Sequence, residues 1–531
     1  MKKLISDQFR QSMNWFHTWV GLGLGAVLFA VFWTGSLTVF DKEIDQWMMP
    51  ELRLAQPATS TLDDVILPRA DTIGLAPGSE VWFSPPQDRI PAYRIYYEDA
   101  QGIEHEELLD PQTGQRLDLT DSDAGSGFFF HFHYMLHMPG VIGNWIVGLA
   151  ALGMMLLVIS GVFIHRKIFQ DFFTFRPDKK ARRVSLDIHN LTALIALPFH
   201  FLLPLSGLFI IATTYFPWAM TLPYDGNLRQ LDAGLSGYQE LARPMANQPG
   251  APVTELQIYL DQAREIWREE EGRTSSGAEW IGIFNYGDAN SYIMAERYFQ
   301  SSRVAIGPDQ ITFDPKSGEV LGRYSPKPIH KATNWLEGLH WIQFDHWPMR
   351  WLYFFAGLSG CVMIGSGLIF WMQARIRAKQ AEPGTVRVVR AMSIASITGV
   401  IMGSGAFLIS NRLIPKEISM DVHRHELEIW TFFAVWMACL LHSLIRDKRA
   451  WFEQSIAIAT AGVLAVLLNW ITTGDHLIAA ISSGIPVIAL MDLVLIGLSS
   501  LFAIAAYRMR PAVTLASRSH LTSDATRFPA E

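Results

Sequence analysis

Eight long apolar segments dominate this sequence and limit how it can fold. A helix that crosses the hydrocarbon core of a bilayer needs about 20 mostly apolar residues. Half of the 531 residues are hydrophobic and only 18% are charged, which is too apolar for an ordinary soluble protein. The sequence therefore predicts a polytopic α-helical membrane protein with about eight transmembrane helices. The segments lie at 18–40, 141–164, 190–213, 351–372, 391–411, 427–445, 452–472 and 484–506.

Lys and Arg gather at one set of segment ends. They occur at the N-terminus, in HRKIFQDFFTFRPDKKARR after the second segment, in QARIRAKQAEPGTVRVVR after the fourth, in RDKR after the sixth and in YRMR after the eighth. Because short loops rich in Lys and Arg remain cytoplasmic, we expect both termini on that side and the two long loops on the other. The first segment is too long for a signal-peptide core and no small-residue cleavage site follows it, so it is expected to stay as a helix.

The two long loops carry the same phrase. LLDPQTGQRL at 108–117 and TFDPKSGEVL at 312–321 each read as strand, tight turn and return strand, which predicts a β-hairpin in each loop. Two copies in one chain indicate an internal duplication. We therefore expect each repeat to be a helix, an outer α/β domain and a second helix.

Histidines follow the duplication. His17 and His189 open the first and third segments, and each is followed eighteen residues later by a glycine after Thr or Ser. The second and fourth segments are both preceded by Leu-His, which pairs His137 with His340. His131 and His133 have no counterpart in the same register, so an interfacial or substrate-facing position is expected for them.

Four motifs in order resemble the PepSY-associated transmembrane proteins, a group that includes iron-regulated bacterial inner-membrane proteins and periplasmic ferric-siderophore reductases. They are FHTWVGLGLGAVLFAVFWTGSLTVFDKEIDQWMMPEL, the two hairpin phrases, Leu-His at the outer helix starts, and DIHN at the third helix, and they span residues 10 to about 378. The expected organisation is a first helix in 1–40, a periplasmic α+β PepSY-like domain in 41–136, two helices and a basic cytoplasmic loop in 137–213, a second such domain in 214–345, a fourth helix in 346–378, an additional four-helix membrane unit in 385–510 and a cytoplasmic tail in 511–531.

The resemblance implies a pair of b-type haems held by transmembrane histidines, with electrons passing outward to a ferric siderophore or ferric chelate. Axial imidazoles suit an electron-transfer haem, and helices of a bundle project such ligands inward. We expect His17 with His189 at the cytoplasmic edge and His137 with His340 at the outer edge. His165, whose repeat equivalent is Trp371, is an alternative inner ligand. His200 shares a helix face with His189 about 16 Å away and is an alternative outer ligand.

Other activities lack their motifs. There is no strand followed by GxGxxG and a helix, no P-loop and no HExxH, so the sequence does not indicate dinucleotide binding, an ATP-driven pump or a zinc protease. Nucleic-acid binding has no support beyond basic loops that topology already explains. The electron donor, a cytoplasmic reductase or a quinol, is not identified by the sequence. The alternative function is a non-redox protein in which the outer domains bind a ligand and the membrane part is an anchor or transporter.

Overall fold

A computed structural model describes residues 6–54, 60–99, 101–165, 175–218, 222–225, 227, 230, 243–271, 280–297, 304–307, 309–378, 383–418 and 421–510. The basic stretch 166–174, parts of the 214–345 segment and the 511–531 tail lie outside the described residues. The helices in the first half of the chain are α1 Asp7–Thr38, α2 Asp41–Met48, α3 Leu62–Ile73, α4 Phe130–Met135, α5 Ile142–Ile164, α6 Ala181–Ile195, α7 Leu197–Ile210 and α8 Ala212–Tyr215. The later helices are α9 Gln257–Glu271, α10 Pro328–Trp341, α11 Trp347–Ala378, α12 Pro383–Ile394, α13 Val400–Leu413, α14 Arg424–Arg446, α15 Ala450–Thr473, α16 Leu477–Ser482 and α17 Pro486–Met509.

Six described helical stretches are long and apolar enough to cross a membrane, or up to seven if the bent pair of α6 and α7 counts as one span. α6 and α7 meet at a 66° bend, which falls just before Pro198, a residue that disfavours a continuous helix through its predecessor. One stretch, Arg424–Thr473, contains two helices, α14 and α15, separated by a short 3-10 turn. These helices make the chain a multi-pass membrane protein, while the total of eight spans stays a prediction.

Four spans form a closed bundle with two-fold pseudo-symmetry. α1 packs against α5 and α11, α5 packs against α7, and α6 packs against α11. Exchanging α1 with the bent pair and α5 with α11 leaves these contacts unchanged, as the duplication predicted. The chain leaves and re-enters the bundle for the two long segments at one end, here called the sheet side. The opposite end is the far side.

The described strands of the two long segments form one continuous sheet, whereas the sequence led us to expect a separate α+β domain in each segment. Its strands run antiparallel in the order β3-β2-β1-β4-β5-β6-β7. β1 and β4 join the two repeats, with Val81 opposite Ile283 and Phe83 opposite Ile281. Side chains of α3 and α9 share one buried core with both halves of the sheet, which includes Leu62, Phe83 and Trp267. The strands are β1 Val81–Ser84, β2 Tyr93–Glu98, β3 Glu104–Leu109, β4 Trp280–Phe284, β5 Tyr292–Arg297, β6 Asp309–Phe313 and β7 Val320–Tyr324.

The two hairpin phrases fold unequally. The second forms the β6–β7 hairpin, whereas the first keeps the turn but only a single bridge between Leu109 and Arg116. The turns themselves match, because Asp110 and Asp314 each accept hydrogen bonds from backbone N–H groups two and three residues later. The prediction was therefore right for the turn chemistry and too long for the first return strand.

The helices after residue 383 pack against the bundle through buried polar contacts. Trp33 of α1 donates to Ser404 at 3.0 Å, and Trp47 of α2 donates to Asp492 at 2.9 Å. Since each indole N–H would be costly to leave unpaired in an apolar interface, these bonds specify how the added helices dock. Residues of both parts belong to one hydrophobic core.

Candidate functional site

His17 of α1 and His189 of α6 lie together on the far side of the bundle. Their ring centres are 6.2 Å apart and their planes are at 85°. Both line a cavity of about 430 Å³ enclosed by the four spans of the bundle. These residues are called the far-side pair, and the space beside them is the far-side cavity.

A second pair lies on the sheet side. His133 of α4 and His340 of α10 have ring centres 6.1 Å apart and planes at 34°. They line a separate cavity of about 360 Å³. They are called the sheet-side pair, beside the sheet-side cavity. Leu28 and Met154 line both cavities, so a single layer of side chains separates the two spaces.

All four rings are held in the same way through Nδ1. Each Nδ1 lies within hydrogen-bond distance of a backbone carbonyl on a neighbouring helix. The partners are Leu157 for His17 at 3.1 Å, Met363 for His189 at 2.8 Å, Val31 for His133 at 2.9 Å and Leu203 for His340 at 3.0 Å. A carbonyl oxygen only accepts, so Nδ1 carries the proton and Nε2 keeps a lone pair in the neutral ring.

A glycine lies four residues after each of these carbonyl groups in the chain, and its lack of a side chain leaves space for the histidine ring. A methyl group at Gly35 would lie 2.6 Å from atoms of the His133 ring, and one at Gly207 would lie 2.8 Å from the His340 ring. The corresponding distances are 3.0 Å from Gly367 to His189 and 3.4 Å from Gly161 to His17. Each glycine follows Ser or Thr. The four positions at which a histidine ring packs against a neighbouring helix are therefore marked in the sequence by the dipeptides Thr34-Gly35, Ser160-Gly161, Ser206-Gly207 and Ser366-Gly367.

This arrangement fits a pair of six-coordinate haems. A metal–imidazole bond is about 2 Å long and the ring centre lies about 1 Å behind the nitrogen, so two axial imidazoles have ring centres about 6 Å apart. Both pairs match that separation. Histidine ligands also usually donate their other ring N–H to a carbonyl or carboxylate, and both cavities fall within the range of about 300–1,000 Å³ typical of ligand sites.

The structure places His133, and not the expected His137, beside His340. Helix α4 ends at Met135, its C-cap Leu136 adopts a left-handed conformation with φ 54°, and His137 follows in the same region with φ 52°. His133 and His340 each lie in the last turn of their short helices, whereas His137 lies beyond its helix and packs against Phe128 and Phe433. The Leu-His match compared residues on opposite sides of a helix end.

The two alternative ligands have different surroundings. His165 lies at the C-terminal end of α5 and lines the far-side cavity, as does its repeat equivalent Trp371. His200 is buried between helices, with its ring 5.8 Å from that of Phe32, and lines neither cavity. The structure therefore does not place His200 in either histidine-lined cavity.

A buried carboxylate positions the segment that carries His133. Asp45 accepts hydrogen bonds from the backbone N–H groups of Gly125 and Ser126 at 2.8 and 2.9 Å and from the Ser126 hydroxyl at 2.5 Å. Burial raises the pKa of Asp45, and the nearby Asp41 raises it further against the opposing effect of Lys42. These bonds anchor the π-helical turn Gly125–Phe129, which leads directly into α4.

Residues 14–374 match the protein family described as the PepSY-associated TM region. A Pseudomonas aeruginosa relative, described as uncharacterized protein PA4219, is 23% identical over 319 residues. The match covers 58% of this chain and 76% of the relative. Both histidine pairs lie within residues 14–374, and the helices from 383 onward lie outside them.

Proposed function

The chain belongs to the PepSY-associated TM region family, and from that premise we propose that it is a di-haem reductase of the bacterial inner membrane. In this proposal it passes electrons across the membrane to a ferric siderophore or other ferric chelate and releases Fe(II) for uptake. The observation that carries the proposal is the two matched histidine pairs, one at each end of a single four-helix bundle.

The chain's own residues would hold and separate the two groups. Nε2 of each histidine is the free ring nitrogen, and the Nδ1 bond to a carbonyl holds the ring in its orientation. A b-type haem bound at each pair would supply a one-electron carrier. Leu28 and Met154 would lie between the two carriers, and the apolar cavity walls would keep water away from both.

Sidedness follows from the basic segments of the sequence. In the sequence, HRKIFQDFFTFRPDKKARR follows α5 and QARIRAKQAEPGTVRVVR covers the end of α11, two helices whose described C-terminal parts reach the far side. This favours a cytoplasmic far side and a periplasmic sheet side. Electrons would then enter near the far-side cavity from a quinol or a cytoplasmic reductase. They would leave near the sheet-side cavity, where Fe(III) of the chelate is reduced to Fe(II) by one electron.

The first test is the visible spectrum of the purified protein. We expect a Soret band, α-bands that sharpen on reduction with dithionite, and two haems per chain by pyridine haemochrome assay. A colourless preparation from haem-replete cells would contradict the proposal. It would favour the non-redox alternative, in which the sheet binds a ligand and the bundle is an anchor or transporter.

A glycine substitution tests the sheet-side pair without changing either histidine. Gly35→Ala places a methyl group against the His133 ring, and such overpacking costs about 1–3 kcal/mol. We expect lower haem occupancy at this pair, measured as haem per chain after purification. Gly23→Ala is the matched control, because it lies in the same helix and its methyl group would meet nothing within 4 Å. Equal haem content in both variants would show that Gly35 does not serve this pair.

A further inference from the structure

A separate group of potential metal ligands lies on the sheet side, where the segment before α4 meets α14. Asp121, His423 and His425 each offer one ligand atom, and these atoms all lie within 4.8 Å of one another. Nδ1 of His425 is 2.7 Å from Oδ1 of Asp121. The rings of His423 and His425 are stacked, with centres 5.4 Å apart.

The sequence alone argues against this group. His423 and His425 are two residues apart, and residues two apart on a helix do not share a face. In the structure His423 is the N-cap of α14, with extended backbone at φ −69° and ψ 143°, so only His425 is helical. The extended residue turns its ring back beside that of His425. The third ligand comes from a position about 300 residues earlier in the chain.

Arg424 fixes the group in place from within. Its backbone N–H donates to Oδ2 of Asp121 at 2.9 Å, and its guanidinium donates to the Asp121 carbonyl at 3.1 Å. The same guanidinium is buried and bonds to the Asn411 carbonyl at 2.5 Å and to Glu428. Arg424 thus ties the Asp121 segment to α13 and α14, while the side chains on either side of it remain free to meet.

We propose that Asp121, His423 and His425 form a binding site for a divalent first-row transition-metal ion. Two imidazoles and one carboxylate gathered on one side of an ion leave its other positions open, which is the ligand set of non-haem Fe(II) sites. The side chains of Asp121 and His425 are 47% and 29% exposed, so an ion can enter from solvent. Asp123 and Glu426 lie close enough to His425 to add negative potential.

The identity of the ion as Fe(II) rests on the proposed function. Reduction of a ferric chelate releases Fe(II), which hard oxygen donors hold less tightly than they hold Fe(III), and mixed imidazole and carboxylate donors suit the reduced ion. The group also lies close along the chain to the sheet-side pair, because Asp121 precedes His133 by twelve residues. His137 links the two regions through its contact with Phe433 of α14. The group would therefore take up Fe(II) where it is produced.

The experiment is a calorimetric titration of the full-length protein, as purified from haem-replete cells, with Zn(II), after removal of any histidine tag. Zn(II) accepts the same ligands and has no redox chemistry. We expect one Zn(II) per chain, and at least a tenfold loss of affinity in each of Asp121→Ala, His423→Ala and His425→Ala, by analogy with the roughly 10–100-fold effects seen at metal sites. His131→Ala is the matched control and should bind as the unmodified protein does, because this exposed histidine lies outside the group.

Two results would overturn the site: the absence of Zn(II) binding, or binding that none of the three substitutions weakens. Unchanged circular-dichroism spectra and gel-filtration profiles of the variants establish that they are folded. An anaerobic titration with Fe(II) alone then tests the ion, since Fe(II) should bind one per chain and lose affinity in the same three variants, and the absence of such binding would overturn the iron assignment. The titration needs no electron donor, so its result does not depend on the proposed reductase activity. A protein that has a Soret band but binds no Zn(II) would contradict this inference alone. A protein that binds Zn(II) but has no Soret band would contradict the proposed function and leave the metal site standing.

Discussion

Replacing His133 or His340 by alanine is expected to remove one haem from the protein and spare the other. The two rings form the sheet-side pair, with centres 6.1 Å apart, and no other described histidine lines the sheet-side cavity. Without one of the two imidazoles, the proposed haem would be held at this pair through a single bond. Haem per chain should fall from two to one, and the α-band of the remaining haem should persist.

The decisive control is His137→Ala. The Leu-His match in the sequence assigns this residue to the outer haem, whereas the structure places it beyond the end of α4, against Phe128 and Phe433. We expect His137→Ala to keep both haems. A variant that loses one would restore the sequence-based pairing and contradict the structural one.

The same assay addresses the far-side pair. His17→Ala and His189→Ala should each remove the haem that the sheet-side variants retain, so that a double variant of one histidine from each pair is colourless. If a haem is lost only with His165→Ala, then His165 and not the expected partner holds that haem.

Replacing Glu43 by glutamine is expected to lower the free energy of unfolding by about 3–5 kcal/mol, the range for breaking a buried ion pair. Glu43 lies 2.6 Å from Arg350 and 2.9 Å from Arg89, and Arg89 also lies 2.7 Å from Asp41. The side chain of Arg350 is 0% exposed. Two carboxylates therefore balance two guanidinium groups, and the substitution would leave one buried positive charge unpaired.

The pH dependence has a definite sign. Burial by itself would raise the pKa of the Glu43 carboxyl, but Arg89 and Arg350 outweigh burial and hold that pKa below its ordinary value. A carboxyl with a lowered pKa stabilises the fold above its unfolded pKa, and this contribution is lost as the pH falls through its folded pKa. Glu43→Gln should therefore make stability less sensitive to acid.

Thermal unfolding in detergent micelles, followed by circular dichroism, measures both effects. Glu453→Ala is the control, because Glu453 pairs with Arg446 on an exposed surface where ion pairs contribute little. Equal stability losses in the two variants would show that the buried network is not a special contributor.

Much of the architecture was predictable from local patterns. Long apolar segments indicate spans because a bilayer requires that length, and a repeated phrase indicates a repeated unit. The pairing of His17 with His189 rested on matching helix openings, and the structure places these two rings together, while their role as ligands stays a prediction. The family of the chain was also readable, since four motifs occur in order and residues 14–374 match it.

The differences between the sequence-based expectations and the structure have physical causes. His133 was set aside because a short helix and its left-handed end separate it from the register of the following span. The four Ser/Thr-Gly dipeptides would have pointed to His133, because the glycine of each dipeptide contacts one histidine ring. The first hairpin was overextended because a turn motif specifies the reversal but not the length of the returning strand.

By itself, the sequence determined the class of protein, the duplication and the chemistry of the turns, because each depends on residues that are neighbours along the chain. Only the tertiary structure decided which histidines meet, that the two halves share one sheet, and that Asp121 lies beside His423 and His425. Those outcomes depend on helix ends and on contacts between distant segments, where a shift of one residue or a single extended N-cap changes which side chains come together.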